Sequence, residues 1–251
     1  VDCVVTATNA AGSASASASG EDVVAAAGGG GTGLPGGIED IAAWYDAQDG
    51  NARTVDGSNL VTEWRDKSGS DFHVSPVGIG NDPSLGALNG HDAIVCQSDS
   101  FGETGSLHTA FAGPAWTVAY YASMTNVNRA MLGLANAADN WCQLAYSAGQ
   151  YRYATSGLGT AGSLGAATFA TPVSIVWIYT GTELQVYEDG SLVGTKVVDL
   201  TGAGFDRAWL LCGYDNNVRL DGTVGEVVVL DRAATPSEIA ALHGYFAARW
   251  A

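Results

Sequence analysis

Hydrophobic and polar positions alternate with a period of two along most of this chain, and Gly, Asn and Asp interrupt the alternation. Leu60, Thr62 and Trp64 alternate with Val61, Glu63 and Arg65, the pattern of a half-buried strand. Trp116, Val118 and Tyr120 alternate with Thr117, Ala119 and Tyr121. The same reading predicts strands over residues 41–46, 92–97, 130–135, 141–146, 151–155, 173–180, 183–188, 192–198, 208–214 and 223–230. Turns are predicted at 56–59, at Asn89-Gly90 and at Asp221-Gly222. Asp189-Gly190 between two alternating runs is a type I′ hairpin signal. Many short strands separated by such turns predict an antiparallel sandwich rather than a βαβ fold.

The last segment changes period. Thr235, Pro236 and Glu238 stand as N-cap, first-turn proline and N3 glutamate, a capping box. Ile239, Leu242, Phe246 and Trp250 follow at spacings of three and four, so one stripe of a helix is apolar. A single amphipathic helix after a β-rich chain has to pack that stripe on a sheet.

The strand-then-helix ending over 220–250 resembles the last strand and closing helix of laminin-G-like, concanavalin A-like jelly rolls. Trp44-Tyr45-Asp46-Ala47 and Trp64-Arg65-Asp66-Lys67-Ser68-Gly69 are similar to that family's opening strand and its Trp-x-Asp-x-Ser-Gly turn. The resemblance covers roughly 37–251. It implies an all-β, two-sheet antiparallel jelly-roll sandwich with a C-terminal α-helix. For function it implies less, because such sandwiches host lectins, enzymes and scaffolds.

The N-terminal part reads differently. Cys3, Val5, Ala7 and Asn9 alternate, and a second alternating run follows Ala11-Gly12. Residues 1–19 resemble the last two strands of an immunoglobulin-like domain, with a low-complexity Ala/Ser tether as the alternative. Residues 20–37 are Gly-rich, a flexible linker. Residues 38–251 are then the sandwich domain. A start inside a strand-like alternation leads one to expect a piece of a longer protein. Immunoglobulin-like ends of this kind precede lectin-like modules in phage tail and virion-surface proteins and in bacterial adhesins.

Composition narrows the partners. The chain of 251 residues is 47% hydrophobic, and only 14% charged, yet its net charge is −16. Phosphate binding needs basic surface, so no nucleic acid partner is expected. The acidity also disfavours anionic membranes, and no apolar run is long enough for membrane insertion. Lysine is confined to Lys67 and Lys196, which suits a salty environment or a GC-rich genome. None of Cys3, Cys96, Cys142 and Cys212 lies in a zinc-type spacing. The last three sit in apolar runs and are expected as buried free thiols. Unpaired thiols suit a protein that folds in a reducing cytoplasm and leaves later, as a virion protein does.

No Glu-x-Asp-x-x-Glu strand triplet is present to place two carboxylates for glycoside hydrolysis. Glu226 and Asp231 are five apart on the final strand and are expected on opposite faces. In the resembling family, an acidic residue at the place of Glu226 supports the sandwich. His73, His91, His108 and His243 lie in separate segments, and no Gly-x-Ser-x-Gly frames a nucleophile. Asp66, Ser68 and Asp71 in one tight loop, with Asp46 alongside, are candidate calcium ligands. The alternative is that Asp66 caps its own turn through an Asx hydrogen bond.

Sugar recognition needs aromatic faces for apolar ring surfaces and planar polar groups for hydroxyls. Trp141, Tyr151, Tyr153 and the loop Tyr214, Asp215, Asn216, Asn217 supply both, unless the aromatics are core packing. The expectation is a non-catalytic, lectin-like module of a phage virion or tail fibre. It would bind host cell-surface glycan, beside other virion proteins, as a homo-oligomer. The alternatives are a decoration or assembly module, a secreted polysaccharide-active enzyme, and an extracellular or bacterial cell-surface adhesin.

Overall fold

The computed structural model describes residues 3–9, 12–18, 35–77, 83–99, 101–103, 106–125, 129–138, 140–156, 161–213 and 219–251. The chain divides into two compact units, Val1–Gly33 and Leu34–Ala251. In the first, β1 (Cys3–Asn9) pairs antiparallel with β2 (Gly12–Ala18), with Cys3 opposite Ala18 and Asn9 opposite Gly12.

The second unit runs in chain order as follows. Its first strands are β3 (Ala43–Asp46), β4 (Arg53–Val55), β5 (Val61–Trp64), β6 (Val74–Pro76), β7 (Ser84–Leu88), β8 (His91–Asp99) and β9 (Phe101–Glu103). Then come β10 (Trp116–Met124), β11 (Arg129–Ala135), β12 (Trp141–Ser147), β13 (Gln150–Ser156), β14 (Ala161–Ala166) and β15 (Val173–Tyr179). The last are β16 (Glu183–Glu188), β17 (Ser191–Val197), β18 (Arg207–Leu210), β19 (Leu220–Leu230) and the helix α1 (Pro236–Arg249). One sheet has the order β17-β16-β15-β10-β19-β8-β7, with β3 also paired to β19. The other has the order β14-β13-β12-β11-β18-β9-β6-β5-β4. The two are the antiparallel sandwich that the alternation predicts.

Between the sheets lies one large core, with Tyr45, Trp64, Phe101, Tyr120, Tyr146 and Trp177 fully enclosed. A second core lies outside the β10/β15/β19 sheet, where Ile239, Leu242 and Phe246 of α1 and its C-cap Trp250 cover Ala119, Tyr121, Val176, Ile178 and Val228. Burying each of those large helix residues contributes roughly 1.5–3 kcal/mol. The predicted capping box is present: Thr235 Oγ1 accepts from the Glu238 N–H, and Glu238 Oε2 accepts from the Thr235 N–H at 2.8 Å. Arg232 donates to both Glu238 oxygens, at 2.7 and 2.9 Å, and fixes the helix entry to the end of β19.

Several expectations shift. The predicted turn at Asp221-Gly222 lies inside β19. Gly222 is there because a Cβ would stand 2.4 Å from the Ser123 carbonyl oxygen of the neighbouring strand. Residues 35–37 belong to the sandwich rather than to the linker: they form a 3-10 turn in which Pro35 is buried. Strands β4, β6, β7, β9 and β14 are short or Gly-containing, so alternation alone does not show them. Asp189 and Gly190 have φ of 45° and 82°, the paired left-handed conformation of the predicted hairpin. Cys96, Cys142 and Cys212 are buried thiols outside any disulfide, and enclosure pushes the Cys142 pKa up to about 12.

Candidate functional site

The Trp-x-Asp-x-Ser-Gly turn is a structural staple. Asp66 Oδ1 accepts the N–H groups of Trp44 at 2.9 Å and Ser68 at 2.8 Å. Its Oδ2 accepts the Phe72 N–H at 3.2 Å and lies 2.8 Å from Ser68 Oγ, which is also 3.0 Å from the Ala42 carbonyl. Both oxygens of Asp66 are therefore spent on fastening β3 to the loop. Asp46 is fully buried and faces two cations, Lys67 Nζ at 2.9 Å and Arg249 at 2.7 Å. Asp71 is exposed, with φ of 58°. Asp46, Asp66, Ser68 and Asp71 thus do not fit calcium: the Asx cap claims Asp66, and Lys67 and Arg249 oppose a divalent ion at Asp46. Among the described residues, no group of three or more His, Cys, Asp or Glu side chains gathers to hold a metal.

Glu226 stands opposite Asp46 in the β19–β3 register and is equally buried. Its Oε1 accepts from Trp44 Nε1–H at 2.6 Å and Tyr245 O–H at 2.7 Å. Its Oε2 accepts from Trp250 Nε1–H at 3.1 Å and lies 3.3 Å from Arg249 Nε. Burial first, and then the neighbouring Asp46, push the Glu226 pKa up to about 7. The pair ties β19, β3, the Asp66 loop and α1 together beneath the surface. Asp231 lies beyond the end of β19 and is exposed. His243, a buried residue of α1, has Nδ1 2.5 Å from Ser174 Oγ, and Ser174 Oγ donates to Asp189 at 3.0 Å. The serine lies between the other two groups, so this is a packing relay and not the order of a catalytic triad.

The residues expected to bind glycan separate. Tyr214, Asp215, Asn216 and Asn217 lie outside the described residues. Tyr151 and Tyr153 are core residues, 0% and 6% exposed, which corrects their assignment to a sugar surface. The Tyr151 ring meets Trp177 edge-on at 5.6 Å, and its O–H donates to Glu188 across the sandwich at 2.6 Å. The Tyr153 ring lies over Gly162. The reason is register: Tyr151 opposes Tyr146 and Tyr153 opposes Leu144, both inward. Trp141 opposes Ser156 and belongs to the other face.

That face is the outer side of the β11–β14 and β18 sheet, away from α1. Trp141 opposes Ala135 of β11, and Ala135 opposes Arg207 of β18. In the adjacent row Gln143 opposes Gly133, and Gly133 opposes Trp209. Trp141, Gln143 and Trp209 are all partly exposed. Strand spacing puts the two tryptophan backbones roughly 10 Å apart across the strands and 7 Å along them. Gln143 shares the strand of Trp141 and the row of Trp209, and the Arg207 guanidinium lies over the Trp209 ring at 5.7 Å. Arg152 opposes Ala145 one row further on and is exposed. Trp209, Gln143, Arg152 and Arg207 escape a reading that looks for aromatic clusters in sequence. The legible signal is the alternation Gln150-Tyr-Arg-Tyr-Ala-Thr, which assigns the tyrosines to one face and the polar residues to the other.

A separate cleft of about 320 Å³ opens at one end of the sandwich between Pro114 and the 200–205 loop. Its aromatic walls, Phe111, Trp116, Tyr179 and Phe205, are all within the buried core.

Residues 98–240 match the family model Laminin_G_3, described as the Concanavalin A-like lectin/glucanases superfamily, and the chain belongs to that family. No curated protein matches the chain. Among solved structures it is similar to domain 4 of AbnA, an extracellular arabinanase from Geobacillus stearothermophilus, solved in complex with arabinotriose. That match has 14% identity and a TM-score of 0.59, and covers 81% of this chain and 98% of that one. Trypanosoma rangeli sialidase is similar at 16% identity and TM-score 0.58, over 82% of this chain but only 33% of the sialidase. A mutant of HCR D/C VPI 5995 is similar at 10% identity and TM-score 0.60, over 82% of this chain and 52% of that one. At these identities the likeness is one of fold. The chain spans about a third of the sialidase and half of the HCR chain.

Proposed function

We propose that the sandwich is a non-catalytic glycan-binding module that uses the uncovered face of the β11–β14 and β18 sheet. The observation carrying this reading is the pair of partly exposed tryptophans, Trp141 and Trp209, with Gln143 in the strand of one and the row of the other, on a face that no helix covers among the described residues. Tryptophan faces stack on apolar sugar faces, while a planar amide orients hydroxyls. Glu226 and Asp46, two carboxylates that face each other on neighbouring strands, are sealed from solvent and held by donors, which weighs against turnover there. The complex of domain 4 of AbnA with arabinotriose lends the reading support by analogy of fold.

The finer reading is a module repeated on a virion or tail-fibre surface that recognises host cell-surface glycan. It rests on the immunoglobulin-like alternation of the β1–β2 hairpin and on the three buried thiols. A homo-oligomer would raise weak single sites by avidity, roughly 10²- to 10⁴-fold. The test is a carbohydrate microarray probed with the clustered protein, together with a reducing-sugar assay on every glycan retained. Retention without product supports the reading. Product release makes the protein an enzyme, and an empty array leaves it an assembly module.

A further inference from the structure

The uncovered face differs from the rest of the molecule in charge. The chain carries 26 acidic residues against 10 basic ones. Yet β11, β12, β13, β14 and β18, five neighbouring strands of one sheet, contain no Asp or Glu at all. Two arginines, Arg152 and Arg207, stand on their open side. Elsewhere five cations are matched, Arg53 by Asp92, Arg65 by Glu63, Lys67 by Asp46 and Asp49, Arg232 by Glu238, and Arg249 by Asp46, while Lys196 on the edge strand β17 of the other sheet is exposed. Arg152 is exposed and has no carboxylate partner among the described residues. Arg207 meets the adjacent Asp206 at 3.1 Å, with both side chains 50% exposed. Such a surface pair costs little to exchange for another carboxylate.

An acidic protein that keeps carboxylates off five neighbouring strands while leaving exposed arginines there presents a site for an anion. Guanidinium binds carboxylate through two parallel hydrogen bonds. The cations are sparse and interleaved with tryptophan rings. The matching polymer therefore bears well-separated carboxylates rather than dense charge and keeps its apolar ring faces bare. Dense sulfation supplies neither.

We propose that this face takes a carboxylated polysaccharide, a chain of uronate-type sugars, with Arg152 and Arg207 holding carboxylates beside the rings of Trp141 and Trp209. The proposal rests on the glycan-binding reading above and adds the class of ligand.

The experiment uses the full chain in titrations with polygalacturonate and alginate, each beside its methyl ester and beside dextran sulfate. Esterification removes the charge and keeps the backbone. At least one free acid should bind roughly tenfold or more tightly than its ester, the scale of a charge-assisted hydrogen bond. Arg152→Gln should remove most of that preference at an unchanged Tm, and Trp209→Ala should weaken acid and ester alike. Lys196→Gln, on the edge strand β17 of the other sheet, should change nothing. Equal binding of acid and ester, tightest binding of dextran sulfate, or an Arg152→Gln variant that keeps the preference overturns the proposal and leaves glycan binding standing. Failure of every glycan here and on the microarray removes both.

Discussion

Glu226 and Asp46 face each other across β19 and β3 with no solvent access to either, and Arg249 near the end of α1 contacts both. The last strand, the first strand of the sandwich and the closing helix are thus joined through two carboxylates. In an interior this arrangement holds only while each charge keeps its partners.

The pair makes stability pH-dependent in a definite direction. The Glu226 pKa is pushed from 4.5 to about 7 in the folded protein, first by burial and then by Asp46. The folded state therefore binds this proton more tightly than the unfolded chain. Its contribution to stability is fully present below pH 4.5 and is lost as pH rises to about 7. His243 acts oppositely near the top of that window, since burial lowers its pKa. The measurement is the difference in Tm between Glu226→Gln and the native chain from pH 4 to 8. The variant should gain relative to the native protein as pH rises, and a constant difference contradicts the assignment.

Trp250 sets a second prediction. A Cβ on Gly225 would stand 2.4 Å from the Trp250 indole, which also stacks on Tyr121 at 5.3 Å and donates to Glu226. Gly225→Ala should therefore destabilise by about 1–3 kcal/mol through overpacking. In a domain of this size that lowers Tm by roughly 2–4 °C per kcal/mol. The double variant Gly225→Ala with Trp250→Leu should recover part of the loss in a thermal melt.

The helix start is the third. Thr235→Ala should cost about 1 kcal/mol of stability. Combined with Arg232→Ala it should cost less than the sum, because both act on Glu238. Chemical denaturation of the two single variants and the double variant measures the coupling.

Thiol chemistry gives the fourth. Cys96, Cys142 and Cys212 are enclosed, so in a Cys3→Ser variant no thiol should react with a chromogenic disulfide until denaturant is added. Three should then titrate. Rapid reaction of the folded Cys3→Ser variant contradicts the described core.

The helix was legible in residues 235–250 because its signals are local: a cap, a proline and a stripe. The Asp189-Gly190 hairpin was legible for the same reason. The site was not, because its residues meet through strand register. Trp141 and Trp209 are far apart in sequence and are joined only by β11, which lies between them. Aromatic content alone grouped Trp141 with Tyr151 and Tyr153, and the pairing of Tyr151 with Tyr146 sends those rings into the core instead. The loop at Asp66 announced its oxygens but not their use. Their partners, Trp44 and Phe72, come from both sides of the turn.

The most direct measurement is affinity electrophoresis of the native chain and the Trp141→Ala, Trp209→Ala double variant through gels holding a panel of neutral and uronate polysaccharides. Loss of one stacking ring should weaken binding about 3- to 10-fold, and loss of both up to roughly 100-fold. The account predicts that at least one polysaccharide retards the native chain, and that the folded double variant runs free. A double variant retarded like the native chain, or a native chain that no polysaccharide retards, would contradict it.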